Sequence, residues 1–173
     1  MDQSEASRLI TEVDDRDHAD RTERLVELNN LLPDGGMIGF SGQSAEWLFE
    51  DVKASWLYGC FTSTVLTAHA FCSLQLAGWV RMLSDDPSLP DEAQSLEELA
   101  ALALDAGECD VDLQARLIDL HDRYRAYTAA HLREHEARLE RHLIESDTVS
   151  DEHPLLLDAH HALTTAIRLV YRS

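Results

Sequence analysis

The sequence predicts an all-α fold, an up-and-down helical bundle of four to five helices with an N-terminal helical extension. Apolar residues recur every three or four positions in several segments, as at Leu113, Leu117 and Leu120, which is the spacing of one helix face. No segment shows the sustained alternation of apolar and polar residues that is typical of a strand. The 173 residues suit one domain, because a chain of this length can bury a sizeable core.

The chain divides into an N-terminal arm and a bundle. Residues 1–43 are predicted to form a helical arm and a Gly-rich loop, and residues 44–173 the bundle. The polar middle of residues 4–32 indicates either two short helices or an arm that packs on a partner. Four of the seven glycines follow between positions 33 and 43. This stretch lacks the glycine and lysine order of a phosphate-binding loop, so it is interpreted as a flexible connection.

Capping residues predict where the bundle helices begin. Ser44 is predicted to cap the first helix of the bundle, with Glu46 in its first turn. Gly59 predicts a tight turn, because glycine suits the left-handed position after a helix. The next helix, to about residue 83, is apolar on most sides and is therefore predicted to be central. Ser95 and Glu98 form the capping-box pattern of a further helix.

The charge of the chain restricts its partners. With 33 acidic and 14 basic residues, the net charge is −19, which opposes binding to DNA or to an anionic membrane. One hypothesis is a halophilic protein in a salt-rich cytoplasm, where repulsion is screened. Residues 113–145 are locally neutral, with six Arg, six acids and four His, so a polyanion would have to bind there. The acidic N-terminus does not resemble a signal peptide, and a cytoplasmic location is expected.

The cysteines and an uncharged segment of the sequence both indicate residues that are buried in the core. The odd number of cysteines and the absence of a C-x-x-C pair argue against a zinc ribbon or a disulfide framework. Cys60 and Cys72 lie in an apolar stretch and are predicted to be small buried residues. Residues 54–80 contain no Asp, Glu, Lys or Arg, but polar residues and Gly59 interrupt them. They predict a buried central helix rather than a membrane span.

One long helix is predicted to begin at Asp110 or Asp112 and to continue to about Ile144. Its apolar stripe is expected to lead into a polar cluster near its end. The members of this cluster are Arg123, Arg125, His131 and His135, and Tyr127 belongs to the stripe beside them.

Three interpretations of this cluster stay open. The first is tyrosines and histidines packed with satisfied hydrogen bonds. The second is a metal site, in which His131 and His135 share a metal with help from His142 or from His160 and His161. The third is an Arg/His pair acting on a phosphodiester, where His moves a proton and Arg neutralises the phosphate. RNA suits this last chemistry, because its own 2′-OH can be the nucleophile without a metal.

Several stretches carry a family resemblance. They are residues 45–52 with 58–61, residues 66–71 with 76–78, residues 117–131, and the tail from residue 155. Together this pattern, over about residues 44–172, resembles the HEPN superfamily of helical proteins. Many members of that superfamily are RNases or RNA-binding partners in defence systems.

The resemblance implies a homodimer whose site lies between the protomers. Arg125 would stabilise the phosphate and His131 would act as acid or base, with Arg123, Tyr127 and His135 as binding residues. No cofactor or metal is expected. Possible partners implied by the resemblance are RNA and a cognate antitoxin protein, in a defence or toxin–antitoxin context.

Two departures from the family pattern favour a non-catalytic or weakly catalytic protein that binds RNA or a protein partner. Ala126 follows Arg125, where the family usually has a polar residue, often Asn. Ser73 and Gln75 stand near the position where the central helix often holds a Glu. The alternatives are a metal-independent HEPN endoribonuclease using Arg125 and His131, and a metal-binding helical bundle.

Overall fold

The computed structural model describes residues 3–37, 39–83, 94–128 and 154–171, and almost all of this backbone is helical. The described part contains six helices, which confirms the predicted all-α bundle. They are α1 (Gln3–Leu31), α2 (Gln43–Leu57), α3 (Phe61–Leu83), α4 (Leu96–Asp105), α5 (Val111–Ala126) and α6 (Pro154–Val170). Within these ranges the β-structure is one isolated antiparallel bridge, between Met37 and Tyr171.

Helix α3 lies at the centre of the bundle, as its uncharged sequence predicts. It contacts α2, α4, α5 and α6, and Val65, Phe71 and Leu76 along it are fully buried. A helix that is apolar on most sides has to be surrounded by other helices to remove its surface from water. Across the described ranges, no helix is long and apolar enough to cross a membrane.

Helix α1 is one continuous helix rather than two short ones, and most of its described side chains are exposed. Its C-terminal part packs on the bundle. Leu28 is buried there, and the Nε atom of Arg24 donates a hydrogen bond of 3.0 Å to the carbonyl oxygen of Leu57. The arrangement is therefore that of an arm attached at one end.

The Gly-rich connection after α1, interpreted from the sequence as a flexible connection, is joined to α3 by two hydrogen bonds of Gln75. The side-chain oxygen of Gln75 accepts a hydrogen bond of 2.9 Å from the backbone nitrogen of Ser41. The side-chain nitrogen of Gln75 donates one of 3.0 Å to the carbonyl oxygen of Gly39. Because Gln75 is fully buried, these bonds satisfy an amide that would otherwise be costly to bury.

The helix boundaries follow local capping signals at three points. Ser95 and Glu98 form the predicted capping box. Asp110, the first of the two predicted caps, accepts a hydrogen bond of 2.6 Å from the backbone nitrogen of Leu113. Gly59 has a φ of +70° in the turn between α2 and α3, a conformation that glycine adopts without a steric penalty.

Three local predictions are wrong. Ser44 does not cap α2, because the helix begins at Gln43 and its cap residue is Gly42, two residues before Ser44. Cys60 is exposed, since it lies in the turn before α3 instead of within the helix; Cys72 is buried as predicted. Helix α5 ends at Ala126 rather than near residue 144.

The end of α5 has a local cause. The backbone nitrogens of Tyr127 and Thr128 donate to the carbonyl oxygens three residues earlier, of Tyr124 and Arg125. The hydroxyl of Thr128 also donates to the carbonyl oxygen of Arg125, at 2.8 Å. Such bonds tighten the last turn and satisfy carbonyls that a continuing helix would use.

Candidate functional site

The polar residues of α5 meet α6 in an ion-pair network around Arg123. Its Nη1 atom donates to Asp158 Oδ1 at 2.6 Å, and its Nε atom donates to Asp119 Oδ2 at 2.9 Å. The hydroxyl of Tyr127 donates to Asp158 Oδ2, also at 2.6 Å. Both oxygens of the Asp158 carboxylate therefore accept short hydrogen bonds from residues of α5.

Asp158 is the buried anion of this network, with only 3% of its side chain exposed. Burying a carboxylate costs several kcal/mol unless a cation and hydrogen-bond donors compensate it, so roughly that much depends on the two residues of α5. Arg123 supplies the charge and Tyr127 the second donor. The network therefore fastens α5 to α6 at the point where α5 ends.

The guanidinium of Arg123 is held in its charged form. Burial opposes the charge, but the hydrogen bonds and charges of Asp119 and Asp158 outweigh burial and raise the pKa of Arg123. Two carboxylates on opposite sides occupy its donors. Arg123 is thus a fixed structural cation, not a free group awaiting an anion.

His161 closes the same network on the side of α6. Its Nε2 atom lies 3.1 Å from the carbonyl oxygen of Arg116 and 3.3 Å from Asp119 Oδ2, which fits a neutral ring that donates from Nε2. Burial lowers the pKa of His161, and the charges of Arg123 and Arg116 act in the same direction. The ring is therefore a hydrogen-bond donor at neutral pH.

A second polar cluster joins α3 to α5. The ring of His69 is stacked on the ring of Tyr124, with centroids 3.7 Å apart and planes at 10°. His69 Nε2 lies 3.1 Å from His121 Nδ1, so one of these nitrogens donates to the other. Burial, and after it the charge of His121, lower the pKa of His69 to about 4.

Arg123 and Arg125 do not converge, in contrast to the predicted cluster. Two residues along a helix are separated by about 200° around its axis. Arg123 faces α6, whereas the side chain of Arg125 is 50% exposed and lies 4.0 Å from Asp122. Of the predicted binding residues, Arg123 and Tyr127 do come together, through Asp158. The predicted residues His131 and His135 lie outside the described residues.

The two adjacent histidines of α6 contact different helices. His160 Nε2 lies 3.2 Å from Glu27 of α1, whereas His161 contacts α5. Consecutive residues of a helix point about 100° apart, so these rings do not share one ligand. The described part of the chain holds no group of three or more His, Cys, Asp or Glu residues placed to hold a metal. His142, the other suggested helper, lies outside it.

Sequence reasoning missed the partners of Arg123, although each left a signal. Asp119 stands four residues before Arg123, the spacing of an ion pair on one helix face. Asp158 is the one acidic residue in the sequence of α6, which is otherwise largely apolar. A single acid on such a helix indicates a buried carboxylate with a cationic partner. Nothing local shows that His69 and His121, 52 residues apart, come into contact.

Comparisons of this chain with protein-family models, curated proteins and solved structures found no match. The fold and the site are therefore described from their own residues.

Proposed function

We propose that this chain is a HEPN-like helical protein that forms a homodimer and binds a protein partner, without cleaving RNA. The observation that carries the proposal is the occupation of Arg123 by two carboxylates, at 2.6 Å from Asp158 and 2.9 Å from Asp119. In the context that the resemblance implies, the partner is a cognate antitoxin or another defence protein.

A phosphate at Arg123 would have to displace a carboxylate. Asp158 is buried, and removing its cation would leave an uncompensated charge, at a cost of about 3–5 kcal/mol. Bound phosphate would also lie among Asp119 and Asp158, whose negative charges repel it. The network thus favours a structural role for Arg123 over a role in phosphodiester chemistry.

Arg125 offers one accessible guanidinium at the end of α5. Its side chain is half-exposed, and Asp122 lies 4.0 Å away. Proteins that bind RNA neutralise several phosphates at once, and the net charge here is −19. The accessibility of Arg125 is the observation that supports the alternative, a metal-independent endoribonuclease using Arg125 and His131.

The outer face of α2 supports a protein contact. Trp47 is 61% exposed and Tyr58, at the end of the helix, is 62% exposed. Eleven residues apart, they lie within about 20° of each other around the helix axis and roughly 16 Å apart along it. Exposed Trp and Tyr are the residues that most often dominate protein interfaces. We place a second copy of the chain on this face.

An RNA assay separates the proposal from the alternative. The full chain is incubated with labelled single-stranded RNA without added metal, beside the variants Arg125→Ala and His131→Ala. We expect no cleavage above background for any of the three proteins, and no retention of RNA on a filter at 0.15 M salt. Cleavage by the wild-type chain that either variant abolishes would establish the endoribonuclease instead.

Sedimentation or light scattering tests the dimer. We expect a mass that approaches twice the 19.5 kDa of the chain as concentration rises. The double variant Trp47→Ala, Tyr58→Ala should raise the dissociation constant at least about tenfold, the effect of losing one or two hot-spot residues. Val111→Ala is the control, since Val111 is 71% exposed on α5.

The same measurement locates the interface. A larger effect of Arg125→Glu than of the double variant would move the contact to the end of α5, where the resemblance places it. A mass of one chain at every concentration would overturn the homodimer.

A further inference from the structure

A pocket of about 230 Å³ opens where the end of α1 meets α5 and α6. Leu31, Pro33 and Ile167 form its apolar wall, and Arg116, Thr164 and Arg168 supply its polar groups. This pocket adjoins the network around Arg123, because the carbonyl oxygen of Arg116 lies 3.1 Å from His161 Nε2, but Arg123 itself does not line it. The combination of an apolar wall with a few polar groups is that of a small-molecule site.

Arg116 provides a cation without a carboxylate partner among the described residues. Its Nη2 atom donates to the hydroxyl oxygen of Thr164 at 2.6 Å. Its Nε atom is buried and has no hydrogen-bond partner within the described ranges. The hydroxyl of Thr164 is itself directed to the carbonyl oxygen of His160, at 2.9 Å. It is therefore available to Arg116 only as an acceptor, and it fixes the orientation of the guanidinium.

Arg168, on the same pocket, is already neutralised. One nitrogen of its guanidinium pairs with Asp112, and the other lies 3.1 Å from Asp110 Oδ2. These two carboxylates hold Arg168 at the N-terminus of α5. Counted with Asp110 and Asp112, the two arginines of the pocket sum to zero charge, and Arg116 is the one that has no carboxylate partner among the described residues.

We propose that this pocket binds a small organic carboxylate, a single anionic group with a short apolar tail. The planar guanidinium of Arg116 donates charge-assisted hydrogen bonds of the kind that bind a carboxylate. The tail would pack on Leu31, Pro33 and Ile167. A monoanion matches the single charge of Arg116, whereas a phosphate ester or a polyanion brings more negative charge than one guanidinium compensates.

The size of the pocket limits the ligand. Its volume of about 230 Å³ lies below the roughly 300–1,000 Å³ of sites that hold drug-sized molecules. Butyrate is therefore a suitable probe, and butyramide, which has nearly the same shape but no charge, is its matched neutral control.

The test is a titration of the full chain with butyrate, followed by amide chemical shifts or calorimetry at constant ionic strength. We expect saturable binding of butyrate and at least about tenfold weaker binding of butyramide, because a charge-assisted hydrogen bond is lost. Arg116→Gln should weaken butyrate binding by a similar factor. Arg125→Gln, which removes the same charge from the same helix outside the pocket, should leave it unchanged.

Arg116→Lys provides a second variant that keeps the charge if the Gln variant fails to fold. This variant should still bind butyrate more weakly than the wild type, since an ammonium lacks the planar fork of a guanidinium. Three results would overturn the proposal: no saturation by butyrate, equal binding of butyramide, or equal weakening by Arg116→Gln and Arg125→Gln. Preferential binding of inorganic phosphate would also overturn it, because it would assign the pocket to a different anion.

Discussion

Ser41 lies directly against Gly78, so that the connection after α1 passes over α3 at a point where no side chain is present. A Cβ atom on residue 78 would meet the Cβ and Oγ atoms of Ser41 at less than 3.0 Å. The hydroxyl of Ser41 also contacts the carbonyl oxygen of Leu74, to which it donates at 3.3 Å. Close approach, rather than backbone conformation, is therefore the reason for glycine at this helical position.

Gly78→Ala is expected to destabilise the fold, although alanine is the better helix former. The helix propensity gained is about 1 kcal/mol, whereas forcing a methyl group into a packed contact typically costs about 1–3 kcal/mol, so a net loss of up to about 2 kcal/mol follows. Unfolding in urea, monitored by circular dichroism, measures this change in the free energy of unfolding. Adding Ser41→Gly should restore stability; a lasting deficit in that double variant would refute the steric explanation.

Asp158→Ala is expected to cost about 3 kcal/mol of unfolding free energy, since it leaves the half-buried cation of Arg123 and the hydroxyl of Tyr127 without their shared acceptor. Asp122→Ala serves for comparison. Asp122 is exposed and lies 4.0 Å from Arg125, and surface pairs contribute about 0–1 kcal/mol. Chemical denaturation of both variants gives the difference. Similar losses in the two variants would show that the buried network does not fasten α5 to α6.

Gln75→Glu tests why an amide stands at this buried position of α3. Ionised Glu could accept from the backbone nitrogen of Ser41 but could not donate to the carbonyl oxygen of Gly39. Burial beside that carbonyl would raise the pKa of the new carboxyl above that in the unfolded chain. The variant should therefore be destabilised at pH 7, with the deficit shrinking as the pH falls and the carboxyl is protonated. Thermal unfolding of the variant and wild type at pH 5 and pH 7 measures this, and an equal deficit at both values would contradict it.

His69→Gln tests the stacked cluster between α3 and α5. Because the pKa of His69 is lowered from 6.5 to about 4, the unfolded chain binds a proton in this interval that the folded chain does not. The wild type therefore loses stability as the pH falls through this window, by roughly 1–2 kcal/mol after allowance for solvent screening. The variant, which cannot titrate here, should lose less over the same range. His18→Gln, at an exposed position of α1, should follow the wild type. Parallel curves for wild type and His69→Gln would exclude His69 as the source.

Features that depend on neighbours in sequence could be predicted. The capping box of Ser95 and Glu98, the cap at Asp110 and the turn at Gly59 each involve atoms within a few residues of one another, so composition and spacing are sufficient. Ser44 shows the limit of this reasoning. A residue suited to capping does not fix the boundary to a single position when a neighbouring residue also serves.

The site could be predicted only in part, because its contacts join distant residues. Arg123 and Tyr127 are both among the predicted binding residues, but their common partner, Asp158, follows 35 and 31 residues later. Arg125 is close to Arg123 in sequence and is therefore predicted beside it, yet rotation about the helix axis separates the two side chains.

By itself, the sequence determined the all-α class, the central place of α3 and the dominance of negative charge. These features follow from hydrophobic periodicity and composition. Helix formation and the burial of apolar surface depend directly on these two properties of the sequence. Only the tertiary structure decided that Gln75 binds the connection after α1, that two carboxylates occupy Arg123, and that Arg116 lies beside a pocket with no carboxylate partner among the described residues. Each depends on which polar groups meet after the helices pack, since a buried charge or amide is stable only where its partners lie within hydrogen-bond distance.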